Sequence, residues 1–125
     1  ELGTRFPAMT EAYSKRLVAI ADQIAQEKGI RLMHGVYVGT TGPTFETPAE
    51  YEYFRIIGGD AVGMSTVPEV IVANHGGMEV FGLSVITDLG GKDITQVPTH
   101  EEVQQAAITA EPVTKMLVQE LVGRL

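Results

Sequence analysis

Three polar clusters carry the residue types from which a ligand site can be built: Thr40-Thr41-Gly42-Pro43-Thr44-Phe45-Glu46, Ser65-Thr66 and Thr87-Asp88-Leu89-Gly90-Gly91. Glu46 stands between Phe45 and Thr47, with no basic residue three or four positions before it to form a helical ion pair. It is either a solvated loop carboxylate or an acceptor for a ligand N–H, next to a ring that stacks. Ser65 stands at a helix start. There its hydroxyl and the neighbouring N–H groups can hold phosphate in the positive end of the dipole, or it is a second capping hydroxyl beside Thr66. Asp88 follows Thr87 at the end of an apolar run, where a purely structural role is to cap the Gly90-Gly91 turn. His34, His75 and His100 are scattered, and their spacing matches no metal motif. His34 and His75 read as structural or surface groups. His100 is either a surface residue or one that looks into a cleft. Met64 reads as a core residue.

These clusters need elements to hold them. Tyr13, Leu17, Ile20, Ala21 and Ile24 recur at helical spacing over residues 10–28, with Gly29 as the stop. Val36-Tyr37-Val38, within 33–40, reads as a buried strand. A Thr followed three residues on by Glu opens three more helices. Thr47-Pro48-Ala49-Glu50 starts one that ends near Gly58, with Pro48 suited to the first helical position. Thr66-Val67-Pro68-Glu69 starts one that runs to about His75, and Thr99-His100-Glu101-Glu102 one that continues toward Leu121. Pro112 is expected to kink the last, because it lacks an N–H and crowds the preceding turn. Strands are expected over 61–64 and 80–87. The alternation of helix and strand implies an α/β fold with mainly parallel strands and covering helices. Each polar cluster then follows a strand, where open α/β sheets bind ligands. Three strands make a thin sheet, so further strands are expected from elsewhere.

The 125 residues suit one domain, with no linker or repeat to divide it. Nine basic against sixteen acidic residues give a net charge of −7, which argues against nucleic-acid binding. With no cysteine there is no disulfide or thiolate chemistry. No apolar run is long enough to span a bilayer, and a cytoplasmic location is expected. The chain opens without an initiator Met, as a fragment or a processed product does.

The strings Gly42-Pro43-Thr44-Phe45-Glu46-Thr47-Pro48-Ala49-Glu50 and Gly58-Gly59-Asp60-Ala61-Val62-Gly63-Met64-Ser65-Thr66-Val67-Pro68-Glu69-Val70-Ile71-Val72-Ala73 strongly resemble the trimeric purine nucleoside phosphorylases. So do the lead-in from Leu2-Gly3 to Tyr13 and the Val85-Ile86-Thr87 strand end. The resemblance covers essentially the whole chain and the C-terminal half of the family's three-layer α/β domain, without an internal boundary in 1–125. The half outside it carries the family's Gly/Ser phosphate loop, an Arg and a His that bind phosphate, and a Tyr that contacts ribose. By position, the resemblance implies that Glu46 accepts the N1–H of a 6-oxopurine and that Phe45 packs on the base. It implies that Met64 contacts ribose, Ser65 binds phosphate and His100 reaches the ribose 5′-hydroxyl. Thr87 and Asp88 match the Thr-Asn pair beside purine O6 and N7.

The Asp at position 88 departs from that pattern. An amide can donate to O6 and N7, whereas an ionised carboxylate only accepts. Asp88 suits the N6 amino group of adenine, as in methylthioadenosine phosphorylases, while Glu46 and the surrounding strings favour a 6-oxopurine. Protonation of Asp88, or proton uptake at N7 as the base leaves, reconciles the two. The implied activity is phosphorolysis of inosine- or guanosine-type nucleosides to free base and ribose 1-phosphate. It involves catalytic Glu46 and Asp88, phosphate as co-substrate, no metal or organic cofactor, and a homotrimer. The alternatives are a 6-aminopurine or methylthioadenosine phosphorylase, or a non-catalytic purine- or nucleoside-binding fragment.

Overall fold

A computed structural model describes residues 3–91, 93–94 and 99–125; Glu1 and Leu2 of the lead-in lie outside them. In chain order the elements are α1 (Lys15–Lys28), β1 (Tyr37–Gly39), α2 (Pro48–Ile56), β2 (Ala61–Gly63), α3 (Val67–His75) and α4 (His100–Gly123). They gather into two compact units. One takes in Glu1–Leu32, Ser65–Leu83 and Lys115–Leu125; the other takes in Met33–Met64 and Ser84–Thr114. Among the described residues no helix is long and apolar enough to cross a membrane.

The second unit is built on a βαβ crossover. β1 and β2 pair in parallel, with Tyr37 opposite Ala61, Val38 opposite Val62 and Gly39 opposite Gly63. The ladder is extended at both ends: Asp60 N donates to Val36 O at 2.9 Å, and Thr40 N donates to Gly63 O at 2.9 Å. Asp60 adds a side-chain clasp, its Oδ2 accepting the Val36 N–H at 2.8 Å. Close approach explains two glycines: a Cβ on Gly59 would strike Val38, and one on Gly63 would strike the Tyr37 hydroxyl. The crossover helix α2 begins at a complete capping box. Thr47 Oγ1 accepts the Glu50 N–H at 3.2 Å, and Glu50 Oε2 accepts the Thr47 N–H at 2.7 Å. Pro48 occupies the first turn, where its missing N–H costs nothing.

The first unit holds the deepest core. Ile24 and Leu117 are fully buried, and Leu121 joins them, with Ile20, Leu32 and Phe81 packed around. Ion pairs rim this core: Lys28 with Glu120 at 2.8 Å, and Arg124 with Glu27 at 2.6 Å. Hydrogen bonds from Lys28 and Arg124 hold the Glu120 carboxyl below its ordinary range. Lys28 and Glu27 are exposed and Glu120 and Arg124 only half-buried, so water screens these pairs and their contribution to stability is small.

Several expectations are corrected. Helix α1 starts at Lys15 rather than near Thr10, because Ser14 caps it and accepts the Leu17 N–H through its side chain. Its stop is as read, with Gly29 in the left-handed region at φ 66°. β1 and β2 are three residues each and half-buried at most of their positions. No strand forms over 80–87; among the described residues that stretch makes no ladder, and the boundary between units falls inside it. The start signals at Thr47 and Thr99 are realised as capping boxes, the latter with Glu102. The one at Thr66 is not. Thr66 lies at φ 73°, ψ −59°, the centre of a γ-turn closed by Val67 N donating to Ser65 O at 2.8 Å. In that conformation its hydroxyl meets Ser65 Oγ at 3.2 Å and caps nothing. Helix α4 continues through Pro112. Met64 is 60% exposed and so is not a core residue.

The contrast between the two threonines is measurable. Thr47→Ala is expected to lower stability by about 1 kcal/mol through the lost cap. Thr66→Gly removes no cap and relieves a left-handed non-glycine residue, so it is expected to be neutral or stabilising. Urea unfolding of both variants checks this; a larger loss for Thr66→Gly than for Thr47→Ala contradicts the assignment.

Candidate active site

An open cleft of ≈ 520 Å³ lies within the second unit, along β2 and α2 and reaching the loops that follow β1 and β2. The loop after β1 supplies Thr44, Phe45 and Glu46, and Met64 follows β2 directly. The opposite wall is the chain from Val85 to Gly91, including Thr87 and Asp88. Close packing holds the first two pieces together: a Cβ on Gly42, which sits at φ +56°, would fall on the Met64 thioether. Phe45 is 54% exposed and Met64 60%, so the cleft presents apolar surface to an incoming ring.

Four carboxylates line this cleft, Glu46, Glu52, Asp60 and Asp88, together with the Arg55 guanidinium; Glu46 and Asp88 are half-buried. Glu46 Oε1 accepts a long, 3.4 Å hydrogen bond from Thr40 Oγ1. Asp88 Oδ1 accepts a much shorter one, at 2.8 Å, from its neighbour Thr87. Tyr51 of α2 lies close to both. Burial raises its phenol above the ordinary value; the charges of Glu46 and then Asp88, with a hydrogen bond to Glu46, push it the same way. Room for the phenol ring comes from Gly90, where a Cβ would overlap it.

Five of the residues singled out in the sequence therefore share one cleft: Phe45, Glu46, Met64, Thr87 and Asp88. Ser65 and His100 are not among its lining. Ser65 is the first residue of its segment in the other unit, next in chain to Met64. His100 is exposed in the first turn of α4, where its Nε2 lies 2.9 Å from Gln104 Nε2. His75 is tied to the lead-in through a 2.8 Å contact with Thr4 O. Among the described residues no group of three or more His, Asp and Glu converges as a metal site.

Sequence reading missed Tyr51. A signal for it existed: with Thr47 as N-cap, Glu46 is the preceding residue and Tyr51 the fourth helical one. Those two positions meet routinely across a helix start, usually as an apolar staple. Here the pair is polar.

The parallel βαβ unit with its cleft belongs to an α/β fold. The chain belongs to the phosphorylase superfamily, whose sequence profile matches residues 1–123. It is 58% identical over 102 residues to purine nucleoside phosphorylase 1 of Geobacillus stearothermophilus, covering 82% of this chain and 37% of that protein. The yeast (Saccharomyces cerevisiae) purine nucleoside phosphorylase is 40% identical over 140 residues, covering 100% of this chain and 45% of that protein. The crystal structure of Schistosoma mansoni purine nucleoside phosphorylase in complex with inosine superimposes with a TM-score of 0.93 at 40% identity. That match covers 99% of this chain and 45% of the other. The chain thus spans less than half the length of these relatives.

The cleft wall makes a steric prediction. Gly90→Ala drives a methyl into the Tyr51 ring and is expected to cost about 1–3 kcal/mol of stability. Gly91→Ala meets only Ile94 at ordinary contact distance and is expected to stay within about 0.5 kcal/mol of the parent. Chemical unfolding of the two variants decides, and equal losses contradict the packing described.

Proposed function

We propose that the complete polypeptide carrying this sequence is a purine nucleoside phosphorylase acting on inosine- and guanosine-type nucleosides. Residues 1–125 would form the C-terminal half of its single domain. The observation that carries the reading is the grouping of Phe45, Glu46, Met64, Thr87 and Asp88 on one cleft. Kinship to purine nucleoside phosphorylases over most of the chain supports it. In the reaction a phosphate oxygen attacks C1′ of the ribose, the C1′–N9 bond breaks with its electron pair going to the purine, and the leaving base takes a proton at N7 from water. Glu46 accepts N1–H and Phe45 packs on the base. Thr87 and Asp88 face O6 and N7, Met64 contacts ribose, Ser65 binds phosphate and His100 reaches the 5′-hydroxyl.

An ionised Asp88 has nothing to donate to N7 of the bound nucleoside but accepts well from N7–H of the departing base. That interaction strengthens as the bond breaks, which is what accelerates a chemical step. Inorganic phosphate is a co-substrate, and no metal or organic cofactor takes part. A homotrimer in the cytoplasm is part of the proposal. It is supported by the resemblance to the trimeric enzymes, by the acidic, cysteine-free composition and by the absence of a membrane-spanning helix among the described residues. Adenosine-type chemistry is the second reading, favoured by one observation, the carboxylate of Asp88 on the cleft.

The test is turnover of inosine and adenosine in competition by the complete polypeptide. Inosine is expected to be preferred. Glu46→Gln is expected to lose roughly 1.5–3 kcal/mol in kcat/KM for inosine, as for a lost hydrogen bond to a charged group, with little change in stability. An unchanged kcat/KM removes Glu46 from the site. Asp88→Asn supplies a donor for O6 and is expected to raise the inosine-to-adenosine ratio. A native preference for adenosine or methylthioadenosine overturns the substrate assignment, and an Asp88→Asn variant altered in stability alone makes that residue structural.

A further inference from the structure

Gly42 and Met64 meet where the loop after β1 passes the end of β2. A Cβ on Gly42 would fall on the Met64 sulfur, 2.8 Å from its Cγ and 3.7 Å from its Cε. The outer half of the methionine therefore occupies the place where a side chain at position 42 would stand. Two separate demands fall on this one glycine. Its φ of +56° lies in the left-handed region, which glycine reaches without strain and Asn more readily than other residues do. The thioether, by contrast, excludes every side chain, that of Asn included. Beneath the contact the two backbones are fastened together, with Thr40 N donating to Gly63 O at 2.9 Å.

We propose that Gly42 is a positioning residue of this cleft: the bare space at its α-carbon is a slot that seats the Met64 thioether and, through it, the apolar wall on which a ligand rests. The inference rests on the nucleoside reading for its ligand. An unbranched thioether turns about three side-chain bonds, and one that is 60% exposed has little else to order it. Seating its outer atoms over a bare α-carbon restricts that freedom before a ligand arrives, which is preorganisation. Phe45 lies on the same loop as Gly42 and lines the cleft with Met64, so the seat also ties the wall that follows β1 to the wall that follows β2. In the nucleoside reading Met64 meets the sugar and Phe45 the base. Their separation then fits a flat ring joined directly to a compact sugar.

Two measurements on the complete polypeptide test it. Nuclear magnetic resonance of methionine labelled at the ε-methyl, with the Met64 signal identified by its loss in Met64→Ala, reports the picosecond-to-nanosecond order of that methyl. The methyl is expected to be ordered without ligand and to lose order in Gly42→Asn, which tolerates the left-handed backbone but fills the slot. A methyl as mobile as that of a freely turning surface methionine, or one whose order is the same in Gly42→Asn, overturns the inference whatever the activity. The second measurement is kcat/KM for inosine. Gly42→Ala is expected to lower it about tenfold, and to change it less than about twofold in the Met64→Ala background, where the slot is empty. Gly42→Asn is expected to lose at least as much as Gly42→Ala. Equal losses from Gly42→Ala in both backgrounds, or an Asn variant milder than the Ala one, reduce the role of Gly42 to backbone conformation and overturn the proposal. Failure of the phosphorylase reading looks different: the unaltered protein then leaves inosine intact while the order of the Met64 methyl still depends on Gly42.

Discussion

The pairing of β1 with β2 is the constraint on which the site depends. Its register sets Gly39 opposite Gly63, so Thr40 and Met64 leave the sheet side by side and the loop carrying Phe45 and Glu46 is delivered next to Met64. A slip of one residue would turn each side chain to the other face of the sheet. Three features resist that slip. Asp60 clasps the Val36 N–H, Thr40 closes the far end of the ladder on Gly63, and Gly63 makes room for the Tyr37 hydroxyl. Two strands of three residues make a short ladder, and side-chain clasps at its ends matter correspondingly more.

The cleft carries both signs of charge: Glu46, Glu52, Asp60 and Asp88 line it with Arg55, which is paired with Glu52 at 2.7 Å. Glu46 and Asp88 are both acceptors when ionised, and the hydroxyls of Thr40 and Thr87 donate to them. Asn at position 88, as in the enzymes this sequence resembles, would offer a donor as well as an acceptor.

Local signals were legible where a motif is satisfied within a few residues. Thr47-Pro48-Ala49-Glu50 spells out α2, because cap, proline and returning glutamate all act inside one turn. The same spelling at Thr66 misleads: a γ-turn between Ser65 and Val67 takes the threonine out of capping geometry. Residues 80–87 form an apolar run of strand length, but a strand requires a partner's ladder, and sequence pattern alone cannot supply one. The polar loops did identify the cleft through Phe45, Glu46, Met64, Thr87 and Asp88. Tyr51 escaped because an aromatic on an amphipathic helix reads as packing. Its place on the cleft beside Glu46 appears only when the position before the cap and the fourth helical position are considered together.

The central claim is that this cleft belongs to an enzyme transferring ribose from a 6-oxopurine to phosphate. The most direct measurement is release of hypoxanthine from inosine by the complete polypeptide, with and without inorganic phosphate. Release that requires phosphate and yields ribose 1-phosphate in equal amount is the predicted result. Release at the same rate in phosphate-free buffer, yielding free ribose, or no release at all, would contradict it.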